Sequence, residues 1–255
     1  MQFNLSVAGL KTLPDRIDDE LANCIKDEAR SRGITLAAMS GTFNMIHPDV
    51  DRRNHGLRRL RVLAEACALM EVPVITLCSG TRDPNDMWRW HPANAAAGSW
   101  ADLVTSMRQA AAIAEENAIM VAFEPEAANV VNSAQAGRRL LDAIESPHVG
   151  VVFDPANLVG RDKVDRMGEI VEEALTLLGD AVVLAHAKDI APDESTAFSP
   201  AGQGLLDFSE YLRLLTQASF DGPLILHSLQ EDDVDGCVAL LRDRLASLSA
   251  ARATG

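Results

Sequence analysis

Seven short apolar runs, each followed by a longer amphipathic stretch, leave this chain few folds to choose from. The runs are 2–8 (QFNLSVA), 34–40 (ITLAAMS), 73–79 (PVITLCS), 118–124 (AIMVAFE), 149–154 (VGVVFD), 182–186 (VVLAH) and 223–228 (PLILHS). Several are apolar almost throughout, as parallel strands are when both faces are covered. Between them, helical periodicity falls near 15–32, 52–70, 100–117, 133–146, 162–179, 207–219 and 233–248. Ser99, Ser133 and Asp207 stand where helix N-caps belong. Strand–helix alternation without a compositional break or a Gly/Ser-rich linker predicts one α/β domain over 1–255, built on a parallel sheet.

A closed (β/α) barrel has eight such units, and this chain shows seven. The count therefore predicts a TIM-type barrel lacking its first strand–helix unit, unless a degenerate strand is concealed in 41–50. The segments that follow the strands are long and polar, whereas those that enter them, such as SRG (31–33) and MEV (70–72), are short. In barrels of this kind the chemistry lies at the carboxyl ends of the strands.

Composition narrows the function classes. Lysine and arginine total 23 against 37 acids, a net charge of −14, so the field repels phosphate backbones and nucleic acid is not expected as a partner. No uncharged apolar run approaches the roughly 20 residues of a membrane span, and the N-terminal residues do not read as a signal peptide. The four cysteines are scattered, without a C-x-x-C pair, which suits reduced thiols in a cytoplasmic protein.

Glu124, Asp154, His186 and His227 each end, or nearly end, an apolar run, about one strand–helix unit apart. A carboxylate at the end of an apolar strand is costly to bury unless it is paired or coordinated. Two carboxylates and two imidazoles together suit a divalent transition metal such as Mn, Co, Fe or Zn. Taken singly, each of the four reads better as a strand cap or hydrogen-bonding group; taken in register, they read as a ligand set.

The segments FEPE (123–126), FDPANL (153–158), HAKD (186–189) and AGQGLLDFSEYLRLL (201–215), followed by FDGPLILH (220–227), resemble the xylose-isomerase-like TIM barrels. That superfamily (the AP-endonuclease family 2 type) includes sugar and sugar-phosphate isomerases and epimerases together with endonuclease IV. The resemblance implies one divalent metal, Mn foremost with Co, Mg, Fe or Zn as alternatives, held by Glu124, Asp154, His186 and His227. It also sets Glu124 at the end of a fifth strand although it ends the fourth run, in line with a missing first unit. Two positions depart from the family pattern: His227 stands where a glutamate is usual, and Asn157 where many relatives have histidine.

In the mechanism the resemblance implies, the metal polarises a sugar carbonyl, Glu124 abstracts the neighbouring proton, and His227 can ligate or move protons near neutral pH. Lys188 is a candidate holder of a substrate oxyanion, carboxylate or phosphate, or else a partner of Asp189 or Glu124. His47, Arg82, Trp88 and His91 lie in the loops 41–53 and 79–92 as substrate-binding candidates, Arg82 as a fork onto an anionic group. The tryptophans of that loop can equally pack a lid or a subunit contact. Glu126, Asn129 and Asn157 complete the candidate set. The expected activity is isomerisation or epimerisation of a small sugar or sugar phosphate by proton transfer beside a carbonyl. A metal-dependent decarboxylase of a 3-oxo sugar acid and a non-catalytic sugar-binding or partner subunit are the alternatives. Oligomeric state, homo-oligomer included, is left open.

Overall fold

The computed structural model of the chain describes residues 1–193 and 198–253, with side chains through residue 250. Its contacts divide the chain into two compact units, Met1–Val152 and Phe153–Gly255.

In the first unit five strands run parallel in chain order: β1 (Gln2–Phe3), β2 (Ala38–Ser40), β3 (Val74–Cys78), β4 (Met120–Glu124) and β5 (Val149–Phe153). The residues of β3 and β5 are buried throughout, which is why these runs read as continuously apolar. The register sets Cys78 opposite Glu124, so the loops after β3 and β4 leave one edge of the sheet. Four helices connect the strands: α1 (Asp19–Ser31), α2 (Val50–Met70), α3 (Ala97–Glu116) and α4 (Ala134–Ile144). Asp49 caps α2 by accepting from the amides of Asp51 and Arg52, and Ser133 caps α4 by accepting from Ala136.

In the second unit α5 (Pro155–Val159) and α6 (Met167–Leu178) precede β6 (Val182–Ile190), and the short β7 (Phe198–Pro200) pairs antiparallel with the end of β6. Next come α7 (Phe208–Gln217), capped by Asp207, then β8 (Leu224–Leu226), parallel to β6, and α8 (Val234–Ala253).

Several sequence expectations change. Only Gln2–Phe3 of the first run is strand; Leu5–Ala8 forms a 3-10 turn. The Asn4 side chain accepts from the Ser6 amide, and Gly9, at φ 78°, closes the turn, so local side-chain bonding outcompetes extension. Strand structure in 34–40 begins at Ala38. No strand lies in 41–50; the short strand that the seven runs missed is Phe198–Pro200, and it runs antiparallel to its neighbour. Ser99 is not a cap: α3 begins at Ala97, and the Ser99 hydroxyl donates to the Ala93 carbonyl. β6 extends four residues past His186, which puts Lys188 on the strand rather than on a loop.

Candidate functional site

A heavily buried group of charged side chains is built in the second unit by the turn after β5 and by one face of β6. Side chains two apart on a strand share a face, so His186 and Lys188 point one way and Asp189 the other. Asp154, at the end of β5, caps α5: its Oδ1 accepts from the Ala156 amide at 2.9 Å. Its Oδ2 lies 3.0 Å from Lys188 Nζ and 3.5 Å from His186 Nδ1. Lys188 Nζ also donates to Asn157 Oδ1 at 2.7 Å and stands 3.8 Å over the Phe198 ring. Asp154 and His186 are 1% exposed and Lys188 4%, so these charges interact through protein rather than water. Burial by itself raises the Asp154 carboxyl; the Lys188 ammonium and the His186 imidazole outweigh it and hold the group well below the usual carboxylate range.

The β6–β8 ladder carries His227 to His186. The two rings stack with centroids 4.8 Å apart and planes 22° from parallel, and His227 Nδ1 lies 3.0 Å from Ser228 Oγ. His227 is exposed and His186 is buried, so the pair runs from interior to surface. Tyr211 of α7, fully buried, donates its hydroxyl to the His186 carbonyl at 3.1 Å. Burial and the Asp154 charge push the phenol pKa up, so it remains a donor. Sequence reading missed Tyr211; its only signal is that it is the chain's single tyrosine, on the apolar face of an amphipathic helix.

Asp189 does not pair with Lys188. Its carboxylate accepts from the amides of Ile190, Gly202, Gly204 and Leu206 at 2.8–3.1 Å, pinning the turn that leads into α7. The glycines of that turn thus serve a buried carboxylate.

In the first unit Glu124 closes β4, half-buried. Glu126 begins a turn in which its carbonyl accepts from the Asn129 amide at 2.8 Å. Asn129 is fully buried: its Oδ1 accepts from Gly80 at 2.7 Å and its amide donates to the Met87 carbonyl at 3.3 Å. It ties the loop after β4 to the loop after β3, instead of offering itself to a substrate hydroxyl.

Arg82 is likewise placed differently from the expected anion fork. Its guanidinium donates to Ser99 Oγ at 2.8 Å, to the carbonyls of Ile46 and Gly98 at 3.0 and 3.2 Å, and to Asp102. A long loop must satisfy its own backbone, and Arg82 does that here. His47 is buried between loops: Nδ1 accepts from the Asp49 amide at 3.0 Å, so Nε2 carries the proton and donates to the Pro84 carbonyl at 3.1 Å. His91 accepts from the Ala93 amide at 3.2 Å and caps a 3-10 turn. Trp88 and Trp90 remain more than half exposed. His148 is structural, with Nδ1 donating to the Ile119 carbonyl at 2.7 Å.

The chain belongs to the xylose isomerase-like TIM barrel family, whose model matches residues 6–245. Its fold is that of solved members. A xylose isomerase domain protein from Planctomyces limnophilus is 17% identical, with a TM-score of 0.73 over 91% of this chain and 84% of that one. For the 3-keto-D-glucoside 4-epimerase of E. coli the values are 19% and 0.66, over 92% and 88%. The IolI protein, solved with a zinc atom, matches at 16% and 0.66, over 88% and 80%. No curated protein matches the chain in sequence. Among the described residues no helix is long and apolar enough to cross a membrane.

Proposed function

We propose that the chain is a divalent-metal-dependent isomerase or epimerase of a small sugar or sugar phosphate, a single-domain cytoplasmic enzyme acting by proton transfer next to a carbonyl. The observation that carries the reading is the buried Asp154–His186–Lys188 group with His227 stacked on its imidazole. A carboxylate, an imidazole and a second imidazole fit a divalent cation such as Mn, Co, Fe or Zn. Glu124, Asp154 and His186 each offer one ligand atom of that kind. We assign the metal to these three and His227. Bound there, it would supply Lewis acidity toward the substrate's carbonyl oxygen. Two of the structural relatives support this reading: one is a 3-keto-D-glucoside 4-epimerase and one was solved with a zinc atom.

The chain's own residues supply the rest. Glu124 takes the proton from the carbon beside the carbonyl. Where His227 does not ligate, its imidazole, exposed at the surface end of the stack, exchanges protons with solvent and returns one to the substrate. Lys188 pairs its charge with Asp154 at 3.0 Å and donates one N–H to Asn157, and another N–H steadies a substrate oxygen. Tyr211 positions His186 through its backbone carbonyl. Glu126, His47 and His91, with the exposed Trp88, border the substrate.

The test is metal analysis of the purified protein after loading with Mn, Co, Fe, Zn or Mg, beside turnover of a panel of ketoses, ketose phosphates and 3-oxo sugar acids. The wild type should hold a divalent ion and interconvert a ketose; Asp154→Asn should lose both, and His227→Glu should keep metal while its activity changes. Release of CO₂ from an oxo acid would convert the reading to a lyase. A protein that takes up none of the metals and turns over none of the panel would end it.

A further inference from the structure

The first unit holds a second place for chemistry. A cavity of about 760 Å³ opens at the carboxyl ends of β1 and β2, between the residues after β1 and the first half of α2. Its volume lies in the range that takes a small ligand. Leu13, Phe43 and Met87 give it an apolar floor. Gly56 of α2 keeps that floor in place, because a Cβ there would come within 2.2 Å of the Phe43 ring.

The walls are unusual for so acidic a chain. Lys11, Arg52, Arg58 and Arg59 line the cavity against one carboxylate, Asp51, in a molecule of net charge −14. Two further acids act on these cations. Asp15 grips Arg59 with two hydrogen bonds of 2.7 and 2.8 Å and lies 3.0 Å from His55 Nε2. Asp49 caps α2 and stands 3.8 Å from Arg52 Nε. Arg59 is thereby fixed as wall, while Lys11, Arg52 and Arg58 keep exposed heads at the rim. Like charges gathered around one cavity repel each other, and an anion with several oxygens relieves that repulsion while accepting from donors on separate elements.

We propose that this cavity binds the phosphate of a phosphorylated sugar, with Lys11 and Arg58 as its principal donors and the Phe43 floor under the carbon skeleton. It opens at the edge of the first unit's sheet where β4 ends in Glu124, the edge to which the proposed reaction belongs. The assignment rests on the sugar-isomerase reading for the skeleton alone; the phosphate part stands on the cavity.

Calorimetry tests it, using inorganic phosphate, D-fructose 6-phosphate and D-fructose as probes. The proteins are the wild type, a Lys11→Ala/Arg58→Ala double variant and an Arg61→Ala control on the same helix outside the cavity, each confirmed folded by its melt. Both phosphate-bearing probes should bind the wild type and the control alike, and affinity should fall at least about tenfold in the double variant, as for loss of charge-assisted hydrogen bonds. Absence of phosphate binding in the wild type would overturn the proposal, as would an equal loss in Arg61→Ala, which would mark a diffuse field. The two readings fail separately. Phosphate binding without turnover of any sugar would sink the catalytic reading alone, whereas turnover of free ketoses without phosphate binding would sink the cavity assignment alone.

Discussion

Replacing Lys188 by methionine keeps an unbranched side chain one atom shorter and removes its charge. The Asp154 carboxylate, 3.0 Å from the ammonium, then lies buried without that cation. At an effective dielectric near 20 the Coulomb attraction at this distance is about 5 kcal/mol, partly offset by the ammonium's own desolvation. Breaking a buried pair by removing one partner costs about 3–5 kcal/mol. In a chain of this size that corresponds to a fall in Tm of roughly 6–20 °C.

The pH dependence has a definite sign. The Asp154 carboxyl is held below its ordinary value, so its contribution is present above about pH 4 and lost as pH falls through the lowered pKa. In Lys188→Met burial acts without the ammonium, and acid relieves the penalty by protonating the carboxyl. Denaturant unfolding of both proteins in EDTA at pH 7 and near pH 3 should therefore show the large difference only at the higher pH. A difference under about 1 kcal/mol at pH 7 would refute the view that this buried pair organises the site, since that is the value of a surface pair. So would a difference that persists unchanged in acid.

Two other outcomes follow from the packing. A Cβ at Gly204 would come 2.2 Å from the Ile190 carbonyl and 2.4 Å from Asp189 Oδ1, so Gly204→Ala should cost about 2–4 kcal/mol by urea unfolding, whereas Gly98→Ala, with nothing within 4 Å, should cost little. Burial pushes the Cys78 thiol up to about 12 and also raises Cys67 and Cys237, while Cys24 is exposed; native protein at pH 8 should be alkylated at Cys24 by iodoacetamide, and the other three should react only on unfolding, as mass spectrometry of digests will show.

Much of the architecture could be read from the residues. Runs such as 74–78 and 149–153 are apolar throughout because their strands are buried on both faces, and that burial shows in composition alone. Asp207 and Ser133 announced their helices because capping is local chemistry. The extension of β6 through Lys188 and Asp189 was not legible. Two charged residues end an apolar run in any local reading, and only the Asp154 partner and the amides of the 202–206 turn make their burial affordable.

The sequence by itself determined that Glu124, Asp154 and His227 sit at or just past strand ends, because strand periodicity and apolar length are properties of neighbouring residues; it placed His186 at an end too, and β6 runs on past it. Which of those groups meet was decided by tertiary structure. Stacking of His227 on His186 depends on β8 lying beside β6, and the pairing of Lys188 with Asp154 depends on the turn after β5. The same holds for Arg82 and Asn129, whose donors and acceptors suit a ligand but are taken up by loop backbone from distant parts of the chain. A polar side chain carries its chemistry in its own atoms; its partner is chosen by the fold.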